Sequence, residues 1–313
     1  MKILLCGGTG LIGRKLLESL TERNDHIILL SRNPDRMKHF EKGNVRLERW
    51  DAQTQGAWSA QINGADAVIN LTGESIAAKR WTPRQKQKIV ESRVHSARAL
   101  AEAVAQTEKK PKVFINASAV GYYGNVGSGN VTETHPKGAG FLADTCAQWE
   151  QAAGLADRPG VRVVLARIGV VLAQEGGALS KILPPFKMFA GGPLGSGRQG
   201  FSWVHIEDVA GALRFILENS SLSGPVNLTA PNPVSMKEFC STLGQVLRRP
   251  SWAPVPAFAL KLLLGEMAGM LLEGQRVLPK KLLDAGYSFK HPDLEEALTS
   301  ILHPSTISST ISV

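Results

Sequence analysis

Residues 3–13 read Ile-Leu-Leu-Cys-Gly-Gly-Thr-Gly-Leu-Ile-Gly. An apolar run is followed by glycines at positions 7, 10 and 13, and an amphipathic pattern then continues over Leu11–Leu20. The run predicts a buried strand, and the glycines predict a tight turn into a helix whose first N–H groups stay unpaired. Because such a turn lets the backbone approach a pyrophosphate, the stretch predicts a dinucleotide-binding unit rather than an ordinary glycine-rich turn.

Short apolar runs alternate with helical patterns through the first two-thirds of the chain. Strands are predicted at Ile3–Cys6, His26–Leu30, Val45–Trp50, Ala67–Leu71, Val113–Ala117 and Val161–Ile168. Helices are predicted at Leu11–Leu20, from Thr82-Pro83 to about Ala105, and at Phe141–Ala156. Strands that are apolar throughout are covered on both faces, so the alternation predicts an α/β fold with a Rossmann-type doubly wound parallel sheet.

The alternation of strand and helix patterns ends after Leu172. Glycine and proline pairs there predict a loop-rich cap at about 174–204. Later elements are predicted as a helix at Ile206–Leu217, a strand at Val226–Leu228, a helix from the capping box of Ser235 and Glu238, and further helices from Pro256. These patterns predict a Rossmann domain over 1–230, a smaller, mostly helical substrate domain over 231–303, and a disordered tail over 304–313.

Composition excludes several classes of protein. Hydrophobic residues make up 43% and charged residues 20% of the 313 residues, which excludes global disorder. Lys and Arg number 36 against 27 Asp and Glu, so the net charge of +9 favours an anionic partner. No basic stretch interleaved with aromatic residues supports a nucleic-acid partner.

The three cysteines are scattered and offer neither a disulfide framework nor metal-ligand spacing. The apolar stretch Val255–Leu272 is interrupted by Lys261 and Glu266, which predicts a packed helix and not a membrane span. We therefore expect a cytoplasmic protein with no membrane partner. We also expect a monomer or homodimer.

The end of the second predicted strand indicates which dinucleotide is bound. An NAD-preferring site places Asp or Glu there to accept from the ribose 2′-OH. This strand instead ends in Ser31-Arg32, with Arg36 four residues on. Ser31 and Arg32 can bind a 2′-phosphate, so we expect NADP(H). Asp51, after the third strand, either accepts from the adenine amino group or serves as a turn or capping residue.

The chain resembles the extended short-chain dehydrogenase/reductase superfamily. The superfamily motifs are Gly7–Gly13, Asn70-Leu71-Thr72-Gly73 and Val204-His205-Ile206-Glu207-Asp208-Val209. More closely, it resembles the atypical epimerase-family group labelled YfcH-like, through Asn70–Glu74, Arg80-Trp81, Ser92-Arg93, Ala119–Gly124, Gly191–Gly197 and Leu272–Val277. The resemblance extends to about Leu302 and implies an NADP-binding Rossmann domain with a C-terminal domain of unassigned function.

The motifs and the resemblance together predict the NADP(H) contacts. They are Gly7, Thr9, Gly10, Leu11, Ile12 and Gly13 in the first turn, Ser31, Arg32 and Asp51 at the next two strand ends, Leu71, Thr72, Gly73 and Glu74 after the fourth strand, Arg93 in the long helix, and Ile168 and Val170 after the sixth strand. For Arg93 three interpretations stay open: the nicotinamide side, the cofactor phosphates, or an ordinary helix surface.

Superfamily enzymes use Tyr-x-x-x-Lys on one helical face for acid–base chemistry. Four residues after Tyr122, Tyr123 and Tyr287 stand Val126, Gly127 and His291, so the pair is absent. In the helix where the pair belongs, Leu142 and Cys146 are expected at the Tyr and Lys positions. Cys146 is interpreted as a small buried hydrophobe rather than a reactive thiol.

Ser118 and Tyr122 are the candidate catalytic replacements. Ser118 matches the superfamily's hydroxyl position, although a gapless register places Ala119 there. For Tyr123 we expect a packed ring.

Arg80, Lys187 and Arg198 are the candidate substrate contacts. Arg198 follows the Gly191–Gly197 segment, whose N–H groups are expected either to help hold an anion or to belong to a flexible surface loop. His205 and Asp208 resemble a structural pair that helps to pack the cap, and no metal ligand is predicted, because no second His or Cys stands at ligand spacing from His205.

Two functions are consistent with these residues. The first is an NADP(H)-dependent oxidoreductase or epimerase-like enzyme that acts on a small polar substrate, nucleotide-linked substrates included, without the usual Tyr–Lys pair. The alternative is a non-catalytic NADP(H)-binding sensor or regulatory protein. The intact cap favours the enzyme, and the missing pair favours the sensor.

Overall fold

The computed structural model describes residues 1–127 and 129–303, so the tail predicted at 304–313 lies outside the described residues. The strands are β1 (Lys2–Cys6), β2 (His26–Ser31), β3 (Val45–Arg49), β4 (Ala67–Asn70), β5 (Val113–Ala119), β6 (Asn130–Val131), β7 (Arg162–Ile168), β8 (Val170–Leu172), β9 (Gly200–Phe201), β10 (Trp203–His205), β11 (Gly224–Leu228), β12 (Val234–Ser235) and β13 (Arg276–Val277).

The α-helices are α1 (Leu11–Glu22), α2 (Pro83–Gln106), α3 (Phe141–Ala153), α4 (Leu179–Lys187), α5 (Ile206–Glu218), α6 (Met236–Leu247), α7 (Ala257–Leu264), α8 (Gly269–Leu272), α9 (Lys280–Asp284) and α10 (Leu294–Leu302). Short 3-10 helices cover Pro34–Phe40, Ala57–Ile62, Val120–Tyr123, Gly154–Ala156 and Gly265–Ala268.

Seven strands form one sheet in the order β11-β7-β5-β4-β1-β2-β3, and every neighbouring pair is parallel. The strand order reverses between β1 and β4, which is the point where ligands bind in doubly wound sheets. The predicted Rossmann-type fold is confirmed. The fold could be predicted from the sequence because β1, β2, β4 and β5 are apolar and buried almost throughout. Strands covered by helices on both faces have this pattern.

Helices cover both faces of the sheet. α1 packs beside α5, and α2 packs beside α3. The start of α2 is set by Thr82, whose hydroxyl accepts from the Gln85 N–H at 3.2 Å, and by Pro83 at the first helical position. The carboxyl ends of β1, β4 and β5 therefore open into a crevice between the helical layers.

The region predicted as a loop-rich cap contains a helix, α4, although Pro184 and Pro185 lie inside it. Leu179, Leu183 and Phe186 are buried in a second core with residues of β8–β10, α6 and α10. Burial of this apolar face stabilises the helix against the loss of the proline N–H donors.

The C-terminal region is joined to the Rossmann domain by strand pairing. β12 pairs with β9, and β13 pairs with β6. α7 departs from the packed helix predicted for its sequence, because Phe258, Leu262 and Leu263 are 75%, 81% and 69% exposed. Within the described ranges, no helix combines the length and the apolar character that crossing a membrane requires.

Candidate functional site

The turn between β1 and α1 is so tight that two of its glycines are required. Gly7 has φ +77°, and a Cβ on it would lie 2.7 Å from the carbonyl carbon of Leu71. A Cβ on Gly13 would lie 2.2 Å from the Gly7 carbonyl oxygen. Gly10 is different: among the described residues, only the Gly7 oxygen, at 3.3 Å, would lie within 4 Å of a Cβ. One side of the turn is therefore open beside Gly10.

The N-terminus of α1 begins at this open side. Gly10 is its N-cap and is exposed, and no side chain in residues 1–127 or 129–303 caps the first N–H groups. Free N–H groups and the positive end of the helix dipole fit a bound phosphate. Leu11 is covered by the segment before α4, because a Cβ on Gly177 would lie 3.2 Å from its side chain. Thr9, Leu11 and Ile12 are half-buried around the open side.

The tip of β2 carries the residues predicted to select the cofactor. Ser31 is half-buried and Arg32 and Arg36 are exposed. The Ser31 hydroxyl accepts from the Asn33 N–H at 3.2 Å. Asp51 serves as a turn residue, one of its two predicted roles, since its carboxylate accepts from the N–H of Thr54 at 2.8 Å and from the Thr54 hydroxyl at 2.6 Å.

The loop after β4 lies directly against the glycine turn. A Cβ on Gly7 would lie 2.9 Å from the Thr72 nitrogen. Thr72 is held by the Ser96 hydroxyl at 2.8 Å, and the Glu74 N–H donates to the Ser92 hydroxyl at 3.0 Å. α2 thus fixes this loop, and the fold brings Leu71, Thr72, Gly73 and Glu74 to the same sheet edge as the first turn.

Ser118 lies in a buried ionic network at the end of β5. Its hydroxyl donates to Glu150 Oε1 at 2.6 Å. Arg167 holds the same carboxylate through Nε and Nη2, both at 2.8 Å. Ser118 is only 3% exposed, and its hydroxyl already donates a hydrogen bond to Glu150. The structure therefore disfavours its predicted catalytic role.

Tyr122 and Tyr123 have different environments. Tyr123 is buried, and its hydroxyl donates to Asn227 Oδ1 at 2.7 Å and accepts from Arg167 Nη1 at 3.0 Å. Burial raises the pKa of Tyr123. The half-buried Tyr122 ring lies 3.5 Å from Arg167 Cζ, and within the described part of the chain its hydroxyl has no hydrogen-bond partner.

Leu142 and Cys146 face the 3-10 helix that follows β5. A Cβ on Gly121 would lie 3.3 Å from Leu142 Cβ and 3.9 Å from Cys146 Sγ. Both side chains therefore point from one face of α3 toward the carboxyl edge of the sheet, where the Tyr and Lys of superfamily enzymes are expected. Burial raises the pKa of the Cys146 thiol to about 11, which agrees with its interpretation as a buried hydrophobe.

Arg93 reaches the same place from α2. Its Nη1 donates to Glu74 O and Ile89 O, both at 3.0 Å, and its Cζ lies 5.2 Å from the Trp149 ring. Its half-buried position and its two bonds to backbone carbonyls disfavour the interpretation as an ordinary helix-surface arginine. Ile168 ends β7 and Val170 begins β8 on the far side of this edge.

The sequence model of the NAD dependent epimerase/dehydratase family matches residues 3–228. The chain belongs to this family. A second sequence model, termed DUF1731 and described as a domain of unknown function, matches residues 255–301 of the chain.

Relatives of this epimerase/dehydratase chain match it along nearly its whole length. The epimerase family protein SDR39U1 homologue of Arabidopsis thaliana, described as chloroplastic, is 42% identical and covers 96% of this chain and 87% of its own. Epimerase family protein YfhF of Bacillus subtilis is 41% identical, with 96% and 98% covered. The crystal structure of human SDR39U1 isoform 2 with NADPH has a TM-score of 0.87 and 35% identity, with 96% and 99% covered.

The loop between β4 and α2, which carries Arg80, contacts the C-terminal region. The Arg80 guanidinium lies 3.1 Å from the position of a Cβ on Gly265, at the end of α7. Lys86 donates to Glu266 at 2.7 Å, and Lys181 of α4 donates to the Ala77 carbonyl. The β4–α2 loop is thereby tied both to the cap and to the C-terminal region.

The Gly191–Gly197 segment is packed against the chain that leads to α7. The Gly195 N–H donates to Val255 O at 2.9 Å, and the Gly197 N–H donates to Leu194 O at 3.1 Å. A Cβ on Gly192 would lie 2.2 Å from the Ala253 oxygen. Both predictions for this segment need correction: it is not a free loop, and these two N–H groups are not available to an anion. The Arg198 and Lys187 side chains are exposed.

His205 and Asp208 do not pair with each other. His205 Nδ1 accepts from the Glu207 N–H at 3.1 Å as the cap of α5, and Asp208 accepts from the N–H groups of Lys290 and His291 at 2.7 and 3.0 Å. Asp208 therefore holds the segment before α10, while His205 caps α5.

A second histidine, missed by the spacing argument, stands beside His205. Ligand atoms of His205, Glu207 and His291 lie within 4.8 Å of one another. We do not assign a metal to this cluster, because His205 Nδ1 is already occupied and Lys15 and Lys290 lie 3.8 and 3.6 Å from the Glu207 carboxylate.

The ionic network around Arg167 was also missed from the sequence. One signal was available: Arg167 stands in a predicted buried strand, where a charge requires a partner. Its partner Glu150 could not be identified from periodicity alone, because it belongs to a different element.

Proposed function

We propose that the protein is an NADP(H)-dependent oxidoreductase or epimerase-like enzyme acting on a hydroxyl or carbonyl group of a small, polar, anionic substrate, nucleotide-linked substrates included. The observation that carries the proposal is the uncapped start of α1 behind an open glycine turn. Ser31 and Arg32 stand where an NAD-preferring site carries an acid. The human relative solved with NADPH supports the same cofactor.

Bound NADP(H) supplies hydride transfer at the nicotinamide. The chain's own residues bind and orient the reactants. The α1 N-terminus binds the diphosphate, Ser31 and Arg32 bind the 2′-phosphate, and the loop Leu71–Glu74 lies along the cofactor toward β5.

Tyr122 is the proposed proton donor. Of the three tyrosines, Tyr123 and Tyr287 have hydroxyls bonded to Asn227 and to the Asp208 carbonyl, at 2.7 and 3.1 Å. In reduction, the Tyr122 hydroxyl gives its proton to the substrate oxygen while the carbonyl carbon is reduced. In oxidation, the proton returns to the phenolate. Turnover on ordinary sugar nucleotides is expected to be slow, because Tyr122 lacks the lysine that lowers the pKa of the superfamily tyrosine.

A specific observation favours the second candidate, a non-catalytic NADP(H)-binding sensor. Leu142 and Cys146, at the expected positions of the acid–base pair, carry no group able to transfer a proton near neutral pH. The sensor keeps the proposed cofactor site and uses the cap to report the state of the cofactor.

The proposed partner is a small anionic molecule. Arg80, Lys187 and Arg198, the predicted substrate contacts, are exposed cations. A monomeric or homodimeric state, without nucleic-acid or membrane partners, stays a prediction. So does the cytoplasm, which is consistent with three buried free thiols.

Consumption of NADPH distinguishes the two functions. Purified protein is mixed with NADPH and a panel of sugar nucleotides and small carbonyl acids, and absorbance at 340 nm is followed, with products identified by mass spectrometry. The enzyme consumes NADPH, and Tyr122→Phe lowers the rate about 10²-fold or more without changing NADPH affinity. Tyr287→Phe, a remote tyrosine, is the matched control. Tight NADPH binding with no consumption across the panel supports the sensor instead.

A further inference from the structure

Arg93, on α2, leaves part of its hydrogen-bonding capacity unused. Only Nη1 donates to the protein, to Glu74 O and Ile89 O. By contrast, Arg167 uses Nε, Nη1 and Nη2, and Arg162 uses both terminal nitrogens. In the ranges 1–127 and 129–303, Nε and Nη2 of Arg93 have no hydrogen-bond acceptor, and no carboxylate oxygen lies within 4.0 Å of its guanidinium.

The packing of Gly73 against Arg93 leaves one edge of the guanidinium free. A Cβ on Gly73 would lie 3.2, 3.3 and 3.5 Å from Cζ, Nη2 and Nε. Because Cζ is the nearest of the three atoms, Gly73 lies over the face of the group and not in line with its N–H bonds. Gly73 therefore does not block the Nε–Nη2 edge, which fits a carboxylate or phosphate with two parallel hydrogen bonds.

The Trp149 ring packs against this arginine. Trp149 is 5% exposed, and its ring centroid is 5.2 Å from Arg93 Cζ. In the described part of the chain, its buried indole N–H has no hydrogen-bond partner. A partly desolvated cation without an anion is costly. An oxyanion bound at the Nε–Nη2 edge from outside the chain would pair the Arg93 charge.

Arg93 reaches the loop after β4 at Gly73 and Glu74, one strand along the sheet from the diphosphate turn of β1. The diphosphate belongs at the end of β1, and the 2′-phosphate belongs at β2. Arg93 instead contacts α3, which follows β5, and in the sheet β5 lies on the other side of β4 from β1. This is the nicotinamide side of the crevice, where Leu142 and Cys146 leave the Tyr–Lys positions without a charge.

We propose that Arg93 is the oxyanion receptor of the substrate pocket: its Nε–Nη2 edge binds a carboxylate or phosphate group of the substrate beside the nicotinamide. The inference rests on the proposed cofactor site and deepens it by naming the substrate class. The reacting molecule carries its anionic group close to the hydroxyl or carbonyl that reacts, and not only at a distant nucleotide.

The test uses the full chain saturated with NADPH, which occupies the cofactor's own phosphate sites. Oxalate and inorganic phosphate are titrated separately by calorimetry. We expect saturable binding of at least one probe, and the stronger one identifies the group as carboxylate or phosphate. Arg93→Gln should weaken that binding about 10-fold or more while NADPH affinity stays within about 2-fold. Arg98→Gln, an exposed arginine on the same helix, is the matched control.

Arg93→Lys and an NMR measurement guard against a variant that fails to fold. The lysine keeps the charge but lacks the fork, so its probe affinity should fall between those of the wild type and the glutamine variant. The Arg93 Nε–H resonance, identified by its absence in Arg93→Lys, should shift saturably on titration of the NADPH-bound wild type.

Three results would overturn the inference. They are a wild type that binds neither probe, unchanged probe binding in Arg93→Gln, and a loss of NADPH affinity in that variant with 2′,5′-ADP affinity preserved, which would make Arg93 a cofactor ligand. Failure of the wild type to bind NADPH is a separate outcome: it overturns the proposed function, and this inference falls with it.

Discussion

Glu150 and Arg167 form a bidentate ion pair with two 2.8 Å contacts, and both side chains are at least nine-tenths buried. The pair joins α3 to β7 beneath the candidate site. Ser118 donates to the carboxylate at 2.6 Å, and the Tyr122 ring stacks 3.5 Å from Arg167 Cζ. Tyr122, the proposed proton donor, therefore packs on the buried charge of Arg167. Glu150, which neutralises that charge, lies on α3.

Glu150→Gln should lower the free energy of unfolding by about 3–5 kcal/mol, because it leaves the Arg167 charge buried and unpaired. Urea denaturation measures this loss. Asp144→Asn is the control on the same helix: it breaks the exposed pair with Lys137 and should change stability by no more than about 1 kcal/mol. Equal effects of the two substitutions would show that the buried pair does not stabilise the fold.

Gly13→Ala and Gly10→Ala should separate folding from cofactor binding. A Cβ on Gly13 would lie 2.2 Å from Gly7 O, so this variant must open the turn and should lose both thermal stability and NADPH binding. Gly10 has φ −75°, which alanine adopts freely, so its variant should keep the wild-type melting temperature. Its methyl group should still weaken NADPH binding by crowding the diphosphate. Wild-type NADPH affinity in Gly10→Ala would place the diphosphate elsewhere.

Arg32→Ala tests cofactor choice. The wild type should bind NADPH at least ~10-fold more tightly than NADH, since a charge-assisted contact contributes about 1.5–3 kcal/mol. The variant should lose most of this preference with little change in NADH affinity, as measured by calorimetry. Equal affinities of the wild type for the two cofactors would contradict the prediction.

His205 should make stability depend on pH. Burial and the neighbouring His291 lower the pKa of His205 from 6.5 to about 3 in the folded chain. Between these pH values the unfolded chain binds a proton that the folded chain does not, so the free energy of unfolding should decrease as pH falls from 6.5 toward 3. His205→Asn keeps a capping acceptor for α5 and should reduce the loss between pH 7 and pH 5.

Urea denaturation at the two pH values measures the His205 effect. His95→Asn, a change at an exposed histidine of α2, should leave the pH dependence as in the wild type. If His205→Asn also leaves it unchanged, another group titrates.

Cys146→Lys should be more destabilising in the presence of Arg93 than in its absence. The new ammonium would enter a buried position whose nearest cation is Arg93. In an Arg93→Met background this repulsion disappears, and we expect a coupling free energy of about 0.5–3 kcal/mol from the four urea denaturation curves. Additive costs would show that the two side chains do not share one pocket.

The sheet and the glycine turn could be predicted from the sequence because their signals are local. An apolar run such as Ile3–Cys6 has one favourable environment, and glycines at positions 7 and 13 meet a steric requirement within their own turn. The helix α4 could not be predicted in the same way, because the apolar face that overrides Pro184 and Pro185 is buried against distant elements.

The roles of individual side chains were less predictable. The sequence predicts that Ser118 acts on a substrate. In the structure its hydroxyl donates a hydrogen bond to Glu150, which lies 32 residues away in the sequence. His291 reaches Glu207 across 84 residues, so no ligand spacing in the sequence could indicate their proximity. Both cases depend on which helix or segment the fold lays over a strand end, and hydrophobic periodicity does not specify that choice.

The pairing of β12 with β9 and of β13 with β6 also has a consequence for biosynthesis. When residues 1–230 have left the ribosome, β6 and β9 still lack their strand partners, and the Ser202 hydroxyl lacks the Gln275 carbonyl to which it donates at 2.7 Å. Unpaired strand edges promote association with other chains. The nascent protein therefore passes through an interval of exposure to aggregation that ends only when β13 is translated and docks.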